Sequence, residues 1–315
     1  MAQAKQQYNG EMVVVVLDYH QWSGRKKATP DEFGIDIKGL PEQVLTFGHK
    51  KLYDPKRLGV FSKLGRKAER ELDMVGRKTP LGFLIPPTAA LSVASKLDAI
   101  KREVHAQKRV ELDGFLEFQK GWVDQFPEHK DAILGDSTLK SDFENQLRFE
   151  YHVFVVKEVE ESDARAASLI SSGFRSVREG VFGMMLMDTV KVASSLSKAI
   201  RNNERVTDKT FNAFSVLADK LKGMSYYDMR LKPLWEQLVD FLHEVTPSEG
   251  KASEAQISRA QEILKVLTDH EEIVRRLDAG EKLVSPMTLS PVQPDLSQLP
   301  LMPVIPAPAQ TVDVW

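Results

Sequence analysis

Six consecutive apolar residues, Met12 to Leu17 (MVVVVL), fill both parities of an extended chain, and most are β-branched. That pattern predicts a central strand covered on both faces, since the run is too short for a buried helix. Between Arg148 and Val156 (RFEYHVFVV), apolar Phe149, Tyr151, Val153 and Val155 alternate with polar Arg148, Glu150 and His152. This is the two-residue period of a strand with one wet face. A third apolar piece, Gly82 to Ile85, is stopped by two prolines. Isolated strands leave their backbone groups unpaired, so strands near 12–17, 82–85 and 148–156 are expected in one small sheet.

Elsewhere the period is helical. Asp54-Pro55 starts a helix as N-cap and first-turn proline, and the helix is expected to run to about Val75 before Gly76. On a helical wheel Val60, Phe61, Leu64, Ala68, Leu72 and Val75 share one face, and Lys63, Arg66, Lys67 and Arg70 share the other. A long helix is expected from Thr88 to about Phe126, broken by Pro127, followed by a short one near Glu128 to Leu134 and the loop GDST. Asp18 to Lys27 reads as an exit loop after the first strand. From Ser162 to about Leu277 some four helices are expected, broken at Asn202-Asn203, Gly223 and TPSEGKAS. Within the first, VFGMMLMDTVKVA is apolar nearly all round, as in a buried central helix or a contact between copies.

The fold class implied is α+β, predominantly α-helical, with residues 1–160 as an α+β domain, 161–280 as a helical region and 281–315 as an extended tail. From Ser285 onward that tail is rich in proline and lacks Lys and Arg, yet it carries many apolar residues. Leu299, Ile305 and Trp315 are therefore candidates for docking on the body or on a partner.

Composition narrows the chemistry. Without cysteine there are no disulfides, thiolate zinc sites, iron-sulfur clusters or cysteine nucleophiles, and a reducing cytoplasm is the expected compartment. No signal-like N-terminus is seen, and no run reaches the roughly 18 apolar residues of a membrane span. The seven histidines form no HExxH, and DHEE (Asp269 to Glu272) reads as a solvated helix face rather than a metal site. Phosphate-cradling glycine loops and a GxSxG elbow are likewise missing. The expectation is no catalytic residue, no metal and no cofactor.

What remains is charge. The net charge is −2, but residues 1–80 hold 15 Lys and Arg against 10 Asp and Glu, which leaves the front at +5 and the remainder at −7. Trp22, Arg25, Lys26 and Lys27, with Lys63, Arg66, Lys67 and Arg70, are the candidate surface for nucleic acid or an acidic partner, through stacking and counterion release. The plainer alternative packs Trp22 on the sheet edge and leaves the cations in water.

WSGRKK after an apolar strand, then FGHKKLYDPKRLGVFSKLGRKAERELDMVGRKTPLGFLIP, then LRFEYHVFVV, resembles a phage and mobile-element family called domain of unknown function 3150. The resemblance implies no activity and no catalytic residues. It does imply a setting beside a MoxR-like AAA+ ATPase and a von Willebrand A protein. The expected role is a non-enzymatic adaptor, subunit or client of that system, with a homo-oligomer as one form of its assembly; the alternative is a nucleic-acid-binding protein with a basic N-terminal surface.

Overall fold

In the computed structural model, residues 10–28, 48–134, 139–157, 164–202, 206–247 and 250–283 are described. They form strand β1 (Glu11–His20), two short strands β2 (Arg25–Lys27) and β3 (His49–Lys51), and helix α1 (Pro55–Val75). A hairpin of β4 (Arg77–Thr79) and β5 (Gly82–Ile85) follows, then helices α2 (Ala90–Asp113), α3 (Phe115–Val123), α4 (Lys130–Leu134) and α5 (Leu139–Gln146), and strand β6 (Arg148–Lys157). The remainder is helical: α6 (Ala164–Arg201), α7 (Asp208–Met224), α8 (Leu231–Val245), α9 (Glu254–Leu267) and α10 (His270–Asp278).

The three expected strands do share one sheet, of order β4-β5-β1-β6, and the class is α+β with helices predominating. β1 and β6 pair antiparallel from Glu11 opposite Lys157 to His20 opposite Arg148, while β5 pairs on the other side from Val13 opposite Ile85 to Val15 opposite Phe83. β1 outruns its apolar core because Asp18 to His20 go on pairing, with Asp18 also ion-paired to Arg148. Met12 to Val15 are all nearly inaccessible, which explains why both parities are apolar. On one face Val13, Val15, Phe83, Ile85 and Phe149 pack with Leu58, Phe61, Leu72, Leu97 and Val104 of α1 and α2 in one core.

α1 is capped as its sequence implies, Asp54 accepting from the Lys56 N–H at 2.8 Å. The single helix expected from Thr88 to Phe126 is instead two, parted at Gly114. A Cβ there would come within 2.4 Å of the Phe118 ring, so glycine leaves room for that ring at the break, and Phe115 just after it is buried. Helix α5 was not expected; Leu139 and Phe143 hold it to the core. Among the described residues the C-terminal part has five helices rather than about four, because Asp269 caps α10 by accepting from the Glu271 and Glu272 N–H groups. In α6, Val181, Met185, Leu186, Thr189 and Ala193 are buried, but Met187 is 66% exposed, so the helix carries a buried stripe rather than a fully buried circumference.

The described residues, which end at Leu283, make one compact unit. Leu299, Ile305 and Trp315, the candidate docking residues, lie outside the described residues. Within that unit, Tyr227, between α7 and α8, ties the helices to the sheet. Its buried hydroxyl accepts from the Val13 N–H at 3.1 Å and donates to the Ile85 carbonyl at 2.6 Å, bridging β1 and β5 where their ladder ends. Tyr227→Phe leaves both backbone groups unpaired, and urea unfolding is expected to show a loss of about 2–4 kcal/mol.

Candidate nucleic-acid interface

The chain leaves β1 and turns Trp22 inward. At 4% exposure Trp22 contacts Tyr53, Phe115 and Phe143, with ring centroids 5.8–6.1 Å away. It therefore anchors the segment and presents no face to a ligand. Gly24 follows with φ +63°, and a Cβ there would meet Leu58 Cδ1 at 2.6 Å. Only glycine satisfies both the left-handed turn and the close approach to α1.

Arg25 to Lys27 then form a strand rather than the expected loop, paired antiparallel with β3: Arg25 opposite Lys51, Lys26 opposite Lys50, Lys27 opposite His49. The ribbon is flanked by hydrogen bonds from the Leu52 N–H to the Gly24 carbonyl and from the Ala28 N–H to the Gly48 carbonyl. Ladder alternation then makes Arg25–Lys51 and Lys27–His49 the non-hydrogen-bonded pairs, whose side chains lie closest. Arg25, Lys27, His49 and Lys51 share one exposed face, and Lys26 and Lys50 share the other. Among the described residues Arg25, Lys27 and Lys51 form no ion pair. Like charges directly opposite weaken a two-stranded ribbon, modestly when exposed and screened.

The ribbon has an aromatic neighbour that sequence reasoning missed. In a non-hydrogen-bonded pair the Lys51 carbonyl points away from β2. There it accepts from the Trp122 indole N–H at 3.1 Å, which sets Trp122 at the ribbon's outer edge. Phe126, 40% exposed, lies edge-to-face with Trp122 at 4.8 Å between centroids. The signal available was the aromatic pair four residues apart in GWVDQF, but nothing local ties it to residue 51. Beside Trp122 opens a concavity of about 430 Å³ whose charged lining is Asp54, Glu117 and Asp124 against Arg57 and Lys120.

A buried carboxylate holds the base of the ribbon. Glu111 of α2, 1% exposed, accepts from the Tyr53 hydroxyl at 2.9 Å and from Arg57 Nε and Nη2 at 2.9 and 3.0 Å. The Arg57 guanidinium also stacks on Phe118, 3.3 Å from the ring centroid. Burial first, then the adjacent Glu111 carboxylate, push the Tyr53 phenol above its ordinary range.

The other candidate cations, Lys63, Arg66, Lys67 and Arg70, are all exposed on α1. The segment entering the ribbon abuts the first turns of that helix, where Gly24 lies against Leu58 and Gln21 donates to the Leu58 carbonyl and accepts from the Ser62 hydroxyl. The α1 cations lie further along and have acidic company. Lys67 pairs with Glu103 at 2.8 Å, and Arg66 and Arg70 line a cleft of about 680 Å³ with Glu69, Asp73 and Asp188. At its floor Asp188 is held by Arg77 at 2.8 Å and by Lys220 at 3.4 Å, and burial lowers the pKa of Lys220.

Asp269 to Glu272 serve a helix start: Asp269 is the N-cap, and Glu272 pairs with Arg275 and Arg276 at 2.7 and 2.6 Å. Hydrogen bonds from those two guanidinium groups hold the Glu272 carboxyl down at about 2. Among the described residues no group of three His, Asp or Glu is placed to hold a metal ion, and no helix is long and apolar enough to cross a membrane.

No curated protein and no solved structure matches the chain. A family model described as "Protein of unknown function (DUF3150)" matches residues 10–269, which takes in the sheet, the cationic ribbon and helices α1 to α9. The chain thus belongs to the DUF3150 family.

Proposed function

We propose that the protein binds nucleic acid through the β2–β3 ribbon. The pairing of cation with cation across two exposed strands carries this reading. Such pairing opposes the ribbon's own stability, and a two-stranded ribbon has little to spare. A phosphate backbone reverses the sign: the same side chains then release condensed counterions and favour the complex. The α1 cations extend the surface, with a smaller contribution because Glu69, Asp73 and Glu103 stand among them.

The test is fluorescence anisotropy of labelled DNA with wild type and with the triple variant Arg25→Glu, Lys27→Glu, Lys51→Glu. All three positions are exposed, so the unfolding midpoint is expected to stay put. Affinity at about 0.1 M salt is expected to fall about 100-fold, and the slope of log affinity against log salt to become shallower by about 2–3. Arg66→Glu is expected to cost less than any single ribbon reversal. An unchanged affinity in the triple variant would falsify the ribbon reading.

A second reading makes the chain a non-enzymatic subunit or client of a phage or mobile-element MoxR-like AAA+ ATPase and von Willebrand A protein system, as the family resemblance implies. It is favoured by β6, the last strand in the sheet order, where Val153, Phe154 and Val155 are 44%, 50% and 57% exposed. Apolar edge strands invite strand addition by a partner. Co-purification with the ATPase that is lost in Val153→Lys with Val155→Lys supports this reading. Loss of self-association alone assigns the strip to a homo-oligomer, and no change in either removes it.

A further inference from the structure

We infer that the nucleic acid is single-stranded, its phosphates lying on the ribbon and one unpaired base lodging at Trp122. This rests on the ribbon reading and adds a ligand geometry to it. The two halves of the surface make opposite chemical demands. Arg25, Lys27 and Lys51 attract phosphate. The concavity beside Trp122 does not, because Asp54, Glu117 and Asp124 face only Lys120 and an Arg57 already bound to Glu111. Carboxylates beside an aromatic ring suit a nucleobase instead: the ring stacks, and an exocyclic amine donates to a carboxylate oxygen. About 430 Å³ is room enough for one base.

A hydrogen bond links the two halves. The Trp122 indole is hydrogen-bonded to the backbone of Lys51, the residue opposite Arg25, so stacking site and cation pair move together. Phe126, 40% exposed, packs edge-to-face against Trp122 and steadies that ring, although it does not itself line the concavity. In a duplex the base faces are covered by their neighbours, so only an unpaired strand presents phosphate and base face at once.

Anisotropy separates the inference from the reading beneath it. The ligands are oligo-dC, oligo-dT, oligo-rC and a duplex of equal length, and the variants are Phe126→Ala, Glu117→Gln with Asp124→Asn, and the ribbon triple. Phe126 is exposed enough for alanine to leave the fold intact. Phe126→Ala is expected to weaken oligo-dC binding about 10-fold while leaving duplex affinity and the salt slope unchanged. Oligo-dC, which has an exocyclic amine, is expected to bind more tightly than oligo-dT, which lacks one, and the carboxamide double variant to erase the difference. Tighter binding of oligo-rC than oligo-dC assigns RNA, and the reverse assigns DNA. If the duplex binds as tightly as the strand, or Phe126→Ala changes nothing, the inference is overturned and the ribbon reading stands. If no polymer binds, the ribbon reading has failed first.

Discussion

Replacement of Glu111 by alanine is expected to destabilise the chain by about 3–5 kcal/mol in urea unfolding. The carboxylate is 1% exposed and accepts from Tyr53, Arg57 and Gln107 at once. Without it the buried Tyr53 phenol loses its acceptor, and the Arg57 guanidinium, 31% exposed and stacked on Phe118, keeps only its water-facing side solvated. Glu111→Gln keeps an acceptor but loses the charge, so roughly half the loss is expected. Tyr53→Phe isolates the hydroxyl, with about 1 kcal/mol expected. A loss under about 1 kcal/mol in Glu111→Ala would mean that the network does not hold the ribbon's base. The phenols give a pH signature. Burial raises Tyr19 to about 12 and pushes Tyr53 up as well, whereas an unfolded phenol ionises near 10. The unfolded chain therefore releases protons first, and unfolding free energy is fully retained below about pH 10 and falls as pH rises from there toward 12.

Trp22→Ala is expected to cost a similar amount, about 3–5 kcal/mol, because it empties the space between Tyr53, Phe115 and Phe143. It also removes the anchor from which the ribbon departs. The distinction from a ligand-contacting tryptophan is measurable. Under conditions where Trp22→Ala is still folded, the salt slope of binding is expected to match wild type, since no phosphate contact has been lost. A folded Trp22→Ala variant with a shallower slope would contradict the anchoring role.

The sheet was legible because burial on both faces of β1 is written as an apolar run of both parities, and the alternation in β6 marks a strand, although of its apolar set Phe149 alone is buried and Val153 and Val155 stay exposed at the sheet's edge. The Asp54-Pro55 start and Gly76 stop of α1 were legible for a similar reason, since capping chemistry is local. The ribbon was not. Three-residue strands of Arg, Lys and His carry no apolar alternation, and β2 and β3 are brought together by Gly24 against Leu58 and by Trp22 in the core, contacts remote in sequence. The cations were identified, but their pairing was hidden. Trp22 was weighed both as an aromatic partner of those cations and as a packed residue, and it packs; the aromatics beside the ribbon are the half-buried Trp122, hydrogen-bonded to Lys51, and the exposed Phe126. Both were read as part of one uninterrupted helix, which gives no reason to set them beside residue 51.

The most direct measurement is a ¹H–¹⁵N correlation spectrum of the full chain, titrated with oligo-dC. The account predicts that the amides of residues 25–27 and 49–51 shift together with the Trp122 indole N–H, while the buried indole of Trp22 stays in place. Shifts confined to the α1 face around Arg66 and Arg70, or no shift at the ribbon on saturation, would contradict it.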